Sequence, residues 1–201
     1  MPVFGVNRLN THKETSFLSS ELVRHERVIS SKLIYKGKMI DVRRDEVILP
    51  SSKKAQREIV EHQGSVSIVG LVGDGRKVLL LRHFRVSIGR TIWEIPAGVI
   101  DEGERPEQTA RRELMEETGY AAKTMKPIFR SYPTPGYSSE LMHCFLATSL
   151  TKSKGRQLDN DEGIEVKPIG IRRAFRMIRS GEITDGKTIA ALSYLIATLR
   201  A

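Results

Sequence analysis

Apolar and polar residues alternate in short blocks along most of the chain, and the blocks read mainly as strands. Val28, Ile29, Leu33, Ile34 and Tyr35 form a first apolar cluster. Lys36-Gly37-Lys38 supplies a turn, and Met39 to Leu49 alternates on the way back, the pattern of a two-stranded hairpin. Pro50 to Lys54 breaks the pattern and predicts a boundary. Residues 1–20 are polar and unpatterned, an arm. The expected division is therefore an arm and β-hairpin subdomain over residues 1–55 and a main domain over 56–201.

Further strands follow at Gln56–Glu61, Ser65–Val72 (SVSIVGLV), Lys77–Phe84 (KVLLLRHF) and Thr91–Ile95, with a hairpin signal at Gly73-Asp74-Gly75-Arg76. Pro106 to Thr118 predicts the first helix, with Ala110 and Leu114 one turn apart. Strands near Lys126–Tyr132 and Leu141–Thr148 lead to a polar loop, Ser149–Gly163, and a strand, Ile164–Ile169. Two helices, Arg172–Ser180 and Thr184–Leu199, end the chain, with Gly181 between them as a stop. Strands run in blocks rather than alternating regularly with helices, which predicts an α+β sandwich rather than a doubly wound sheet.

Composition narrows the function classes. At 39% hydrophobic residues the chain can bury a core, yet it has no apolar run near the roughly 20 residues of a membrane span. Met1 to Gly5 lacks the basic-then-apolar layout of a signal peptide. The single cysteine, Cys144, excludes an internal disulfide framework, sits in an apolar run and fits a reducing cytoplasm. The net charge of +9 attracts phosphorylated small molecules and RNA alike. Without arginine-glycine repeats, zinc-ligand spacing or a strongly basic block, neither nucleic acid nor a membrane is an expected partner.

The chemistry concentrates in Gly98 to Tyr120, GVIDEGERPEQTARRELMEETGY. Glu113, Glu116 and Glu117 are spaced i, i+3, i+4 and share an arc of about 100° on a helix. Three carboxylates so close repel one another. Two readings are open: a solvated face offset by Arg111 and Arg112, or a seat for a hard cation such as Mg²⁺, which takes oxygen ligands.

The surrounding residues decide between them. Gly98, Glu104, Arg112, Glu113, Leu114, Glu116, Glu117, Gly119 and Tyr120 resemble the Nudix box, G-x5-E-x7-R-E-U-x-E-E-x-G-U, where U is bulky and apolar. The last U is a tyrosine here, a small departure. Seven fixed residues would recur by chance in a chain of this size about once in a million. The resemblance implies a Nudix-type α/β/α sandwich with a mixed sheet, carrying the small N-terminal β subdomain. It implies hydrolysis of a pyrophosphate with Mg²⁺, Mn²⁺ being a possible substitute. The Ala97 carbonyl, Glu113, Glu116 and Glu117 correspond to the metal ligands. Gly98 is expected to turn the chain tightly, and Gly119 to cap the helix in the left-handed region. Arg112 and Glu104 match a pair that holds the loop against the helix, and Arg112 and Glu116 also fall in the catalytic group.

Flanking segments resemble the ADP-ribose pyrophosphatase branch of that family. Tyr132-Pro133-Thr134-Pro135-Gly136-Tyr137-Ser138-Ser139-Glu140 places Pro135 16 positions beyond Gly119. Arg82 to Arg85 and Thr91 to Gly98 look like that branch's aromatic-x-Arg and W-E-x-P-A-G segments. The resemblance assigns substrate contacts to Arg57, Arg85, Val99, Thr134, Gly136 and Glu140. Arg85 suits a phosphate, since guanidinium binds two oxygens at once. Glu162, in the acidic stretch Asp161-Glu162-Gly163, matches a glutamate that takes part in activating water, while Glu165 should point elsewhere. Trp93 and His83 read as structural. Branch members commonly form homodimers through the N-terminal subdomain, where Phe17 and Tyr35 are the aromatics available to a base. The expected substrate is a nucleoside diphosphate sugar, ADP-ribose first. The alternatives are another nucleotide (a dinucleoside polyphosphate, coenzyme A or capped RNA) or a Nudix-fold regulator that binds nucleotides without hydrolysis. The box keeps all its glutamates, which weighs against the regulator.

Overall fold

The computed structural model describes residues 25–153 and 163–199. Phe17, Asp159, Asp161 and Glu162 lie outside the described residues. Ten strands are described: β1 (Arg27–Lys36), β2 (Ile40–Ile48), β3 (Lys54–His62), β4 (Ser65–Val72), β5 (Lys77–Arg85), β6 (Arg90–Glu94), β7 (Ala97–Val99), β8 (Tyr120–Ser131), β9 (Met142–Lys152) and β10 (Glu165–Gly170). Three helices accompany them: α1 (Pro106–Thr118), α2 (Ile171–Ser180) and α3 (Gly186–Leu199).

The central sheet runs β10-β5-β4-β9-β8, with β6 on β5 and β7 on β4. It is mixed, because β4 and β9 pair in parallel while the other pairs are antiparallel. Period-two alternation sends its side chains to two cores. Val69, Val78, Leu80 and Cys144 pack with Ala174, Met177, Ile183, Ala191, Leu192 and Leu195 under α2 and α3. Val66, Ile68, Leu79, Phe145 and Ala147 pack with Ala110 and Leu114 of α1. The result is the expected α/β/α sandwich. Helices on both faces also explain why β4 and β5 read as nearly continuous apolar runs. Burial pushes the Cys144 thiol up to about 11, so it is a core residue with no reactive thiolate.

Helix α1 starts at Pro106, whose missing N–H is no loss in the first turn. It ends where Gly119 takes the left-handed conformation (φ 71°) and donates its N–H to Met115 O. That glycine feeds the chain straight into β8, so β8 begins six residues before the strand expected from Lys126. Its early half pairs with the polar end of β9, Ala121 opposite Thr151. The polar loop expected from Ser149 therefore begins later, since backbone pairing does not require apolar side chains. Helix α3 starts at Gly186 rather than Thr184, because Asp185 accepts the Thr188 N–H at 3.0 Å and caps the first turn.

Strands β1, β2 and β3 form a separate antiparallel sheet. Its third strand begins at Lys54, so this sheet spans the boundary expected at residue 55. The sheet joins the sandwich through the Pro-Gly segment: Val60 donates to Tyr137 O (2.7 Å) and accepts from Ser139 N (3.0 Å).

Candidate functional site

The box glycine plays a different part from the expected tight turn. Gly98 lies in strand β7 opposite Val66 and has no positive φ. What it provides is room: a Cβ there would overlap the Cδ and Oε1 of Glu113. The absent side chain lets α1 lay Glu113 directly against β7. One turn on, Glu117 Oε2 accepts the Ala97 N–H at 2.9 Å. Two carboxylates at i and i+4 thus sit on the same two-residue strand segment, beside the Ala97 carbonyl.

Glu113, Glu116 and Glu117 are none of them fully solvated. Burial pushes the Glu117 carboxyl from its ordinary 4.5 up to about 8, with Glu113 and Glu94 adding to the rise and the Ala97 N–H and Arg85 opposing it. Burial raises Glu113 as well, against the pull of Arg112. Arg112 Nη1 donates to Glu113 Oε1 (2.7 Å) and Glu116 Oε2 (3.1 Å). Its Nη2 donates to Glu104 Oε2 (3.0 Å) and reaches Val99 O (3.4 Å). Glu104 also accepts from Thr109 Oγ1 (2.8 Å). Arg112 therefore ties the loop before α1 to the glutamate face.

Among the described residues no three acidic or imidazole side chains converge on one point. Arg112 draws Glu113 and Glu116 to its own side, while the Ala97 N–H holds Glu117 apart. The donor set nevertheless suits a hard divalent cation: carboxylate and carbonyl oxygens only, half-buried, with two carboxyls raised by desolvation and by neighbouring carboxylates.

The substrate candidates divide into three groups. Glu140 is brought in: it accepts from Ser65 Oγ at 2.6 Å, and Ser65 faces Val99 across the β4–β7 pair. Thr134 and Gly136 lie in the turn that carries it, where Thr134 O accepts from Ser138 N (2.9 Å). Arg85 is also brought in, since Glu117 contributes to its field. It is already bonded to Glu94, Nη2 and Nε lying 3.0 and 3.3 Å from Oε2. Arg57 is not brought in: both its bonds to a carboxylate go to Glu26, at 3.0 and 2.6 Å, within the β1–β3 region. Glu165 opens β10 and pairs with Arg82 and Lys167.

Sequence reasoning missed a buried polar cluster behind the glutamates. Glu94 is 1% exposed and is approached by Arg85, His83 and Lys187. A charged residue inside Thr91-Ile-Trp-Glu-Ile95 was its one sequence signal. Asp185 and Thr188 complete the cluster.

The NUDIX domain model matches residues 61–191. An ADP-ribose pyrophosphatase of Bacillus subtilis is 42% identical over 171 residues, covering 85% of this chain and 92% of that protein. A GDP-mannose pyrophosphatase of Salmonella paratyphi B is 39% identical over 150 residues, covering 70% of this chain and 77% of its own. A solved structure described as an ADP compounds hydrolase superimposes with a TM-score of 0.78 at 19% identity, covering 90% of this chain and 97% of the other, and shares the fold. With the box complete, its glutamates seated on β7 and the domain model matched across most of the sandwich, the chain belongs to the Nudix family.

Proposed function

We propose that this protein hydrolyses the pyrophosphate of nucleoside diphosphate sugars, with ADP-ribose as the leading substrate and Mg²⁺ as the working ion, Mn²⁺ a substitute. Water adds across the anhydride, so ADP-ribose gives AMP and ribose 5-phosphate. The observation that carries this reading is the seating of Glu113 and Glu117 on Ala97–Gly98, in a family whose pyrophosphatases generally need a divalent metal. The Ala97 carbonyl, Glu113, Glu116 and Glu117 would hold the ion. A bound divalent cation neutralises pyrophosphate oxygens and lowers the pKa of water.

The chain's own groups divide the remaining work. Arg85 and Arg57 bind phosphate, while Val99, Thr134, Gly136 and Glu140 shape the pocket for the distal sugar. Arg112 and Glu116 belong to the catalytic group by position, Arg112 by tying the Val99 end of β7 and the Glu104 loop to the glutamate face. Glu162, between β9 and β10, is the base that orients water. The reading places the protein in the cytoplasm, on its lone buried cysteine. Among the described residues no helix is long and apolar enough to cross a membrane.

A panel of ADP-ribose, other sugar nucleotides, ATP, a dinucleoside polyphosphate and coenzyme A, with Mg²⁺ or Mn²⁺ and products identified, tests the substrate. ADP-ribose is expected to turn over fastest and to release AMP. Faster hydrolysis of ATP than of every sugar nucleotide would refute the assignment and leave the family intact.

The β1–β3 sheet supports a homodimer. Leu33, Ile34, Tyr35 and Met39 are all more than half exposed on it, and a small sheet with unfilled apolar positions is marginal alone. A second copy of the chain covers these residues in this reading, and that copy's box is the one to which Arg57 is delivered. Light scattering at micromolar concentration should give the mass of two chains, and Leu33→Lys with Ile34→Glu should halve it. A monomeric wild type would rule the dimer out.

A further inference from the structure

Glu94 is a buried carboxylate with no part in the proposed chemistry. It is 1% exposed, and both of its strongest partners use the same oxygen. Lys187 Nζ lies 2.7 Å from Oε2, and Arg85 Nη2 lies 3.0 Å from it. The other oxygen, Oε1, is 3.1 Å from His83 Nδ1 without forming a hydrogen bond. Two cations thus share one buried acceptor, and a second carboxylate, Asp185, acts on both of them.

The two cations are held differently. The Lys187 side chain is 13% exposed and belongs to a closed circuit. Its ammonium also donates to Asp185 Oδ1 (3.1 Å), and Asp185 Oδ2 accepts from Thr188 N and Oγ1. Thr188 Oγ1 in turn accepts the N–H of Ile95, the residue after Glu94, at 2.8 Å. Arg85 stands outside this circuit. Its side chain is 38% exposed, at the end of β5, with Glu117 in its field.

We infer that Lys187 is a positioning residue for substrate binding: it keeps a fixed partner on the buried Glu94 so that Arg85 can turn from Glu94 to a substrate phosphate. This rests on the reading of Arg85 as a phosphate-binding residue. With Arg85 as the sole partner, every binding event would strand a buried bare carboxylate, which is strongly unfavourable. With Lys187 fixed on Oε2, Glu94 keeps a partner whichever way Arg85 points. Lys187 cannot serve as the phosphate ligand itself, since its ammonium is enclosed and already shared by two carboxylates.

The test is the affinity for α,β-methylene ADP-ribose, a non-hydrolysable analogue, measured by calorimetry in magnesium buffer on the full chain. Lys187→Met should weaken binding at least about tenfold, as expected for losing one partner of a buried charge. The loss should vanish once the charge is removed. Glu94→Gln/Lys187→Met should bind within about twofold of Glu94→Gln, the usual scatter of additive effects. In an Arg85→Ala background, Lys187→Met should add nothing further. If Lys187→Met is too unstable to assay, the Glu94→Gln pair answers alone. Wild-type affinity in Lys187→Met, with Arg85→Ala weakened, overturns the role of Lys187. A loss that persists in the Glu94→Gln or Arg85→Ala background overturns it too. Wild-type affinity in Arg85→Ala overturns instead the phosphate reading of Arg85, and this inference with it.

Discussion

Glu117→Gln should lower turnover by at least about a hundredfold while making the chelated protein more stable at alkaline pH. The two effects share a cause. Burial beside Glu113 and Glu94 lifts the Glu117 carboxyl from 4.5 to about 8. Between those values the folded protein holds a proton that the unfolded chain has released, so stability falls as pH rises through the window. Below about 4.5 both states are protonated and the penalty is absent, and above about 8 it is complete. Glu113, raised in the same direction, steepens the fall. Glutamine has the same shape and no charge, so it removes the larger part of this slope. A divalent ion that binds only the folded state stabilises by mass action, and the variant should lose most of that gain. Thermal melts in EDTA at pH 5 and pH 9, repeated at pH 9 with Mg²⁺, read both effects. Equal pH slopes for the two proteins would contradict the burial argument. Full turnover in excess chelator, or a variant keeping more than a tenth of the wild-type rate, would contradict the metal role.

The glutamate face was legible before any coordinates because its signal is local. Spacing along one helix places Glu113, Glu116 and Glu117 together whatever the rest of the chain does. The same holds for the Pro106 start and the Gly119 stop of α1. The two-sided core was legible only through the family resemblance, since runs such as SVSIVGLV and KVLLLRHF suit strands covered on both faces but do not say by what. The polar cluster behind the site was not legible. Glu94 and Lys187 are 93 positions apart, and the apolar run around Glu94 marks that residue alone, without its partner. The Arg57–Glu26 pair was not legible for a similar reason, since it follows from the β1–β3 sheet. The box glycine is a third kind of case. Its identity was plain, but glycine serves turns and close approaches equally well, and only the packing of α1 on β7 shows which.

Gly98→Ala separates those two uses of glycine and should cost activity far more than stability. A glycine kept for a left-handed turn would make alanine strained and the fold weaker. Gly98 has no positive φ and pairs in β7, so the alanine backbone fits without strain. The conflict is with one side chain: the new methyl would occupy the space of the Glu113 carboxylate. That carboxylate ends a flexible side chain and can swing away cheaply, but it then leaves the Ala97–Gly98 segment. Arg112, bonded to Glu113 Oε1, is disturbed with it. The melting temperature should therefore fall by only a few degrees, as for a loss of about 1 kcal/mol. Turnover should fall at least about a hundredfold, as when one key stabilising group is removed. Gly98→Ala/Glu113→Gln should be no worse than Glu113→Gln alone, because the methyl acts only by displacing that carboxylate. Additive losses in the double variant, or unfolding of Gly98→Ala at ordinary temperature, would mean that the glycine serves the backbone after all.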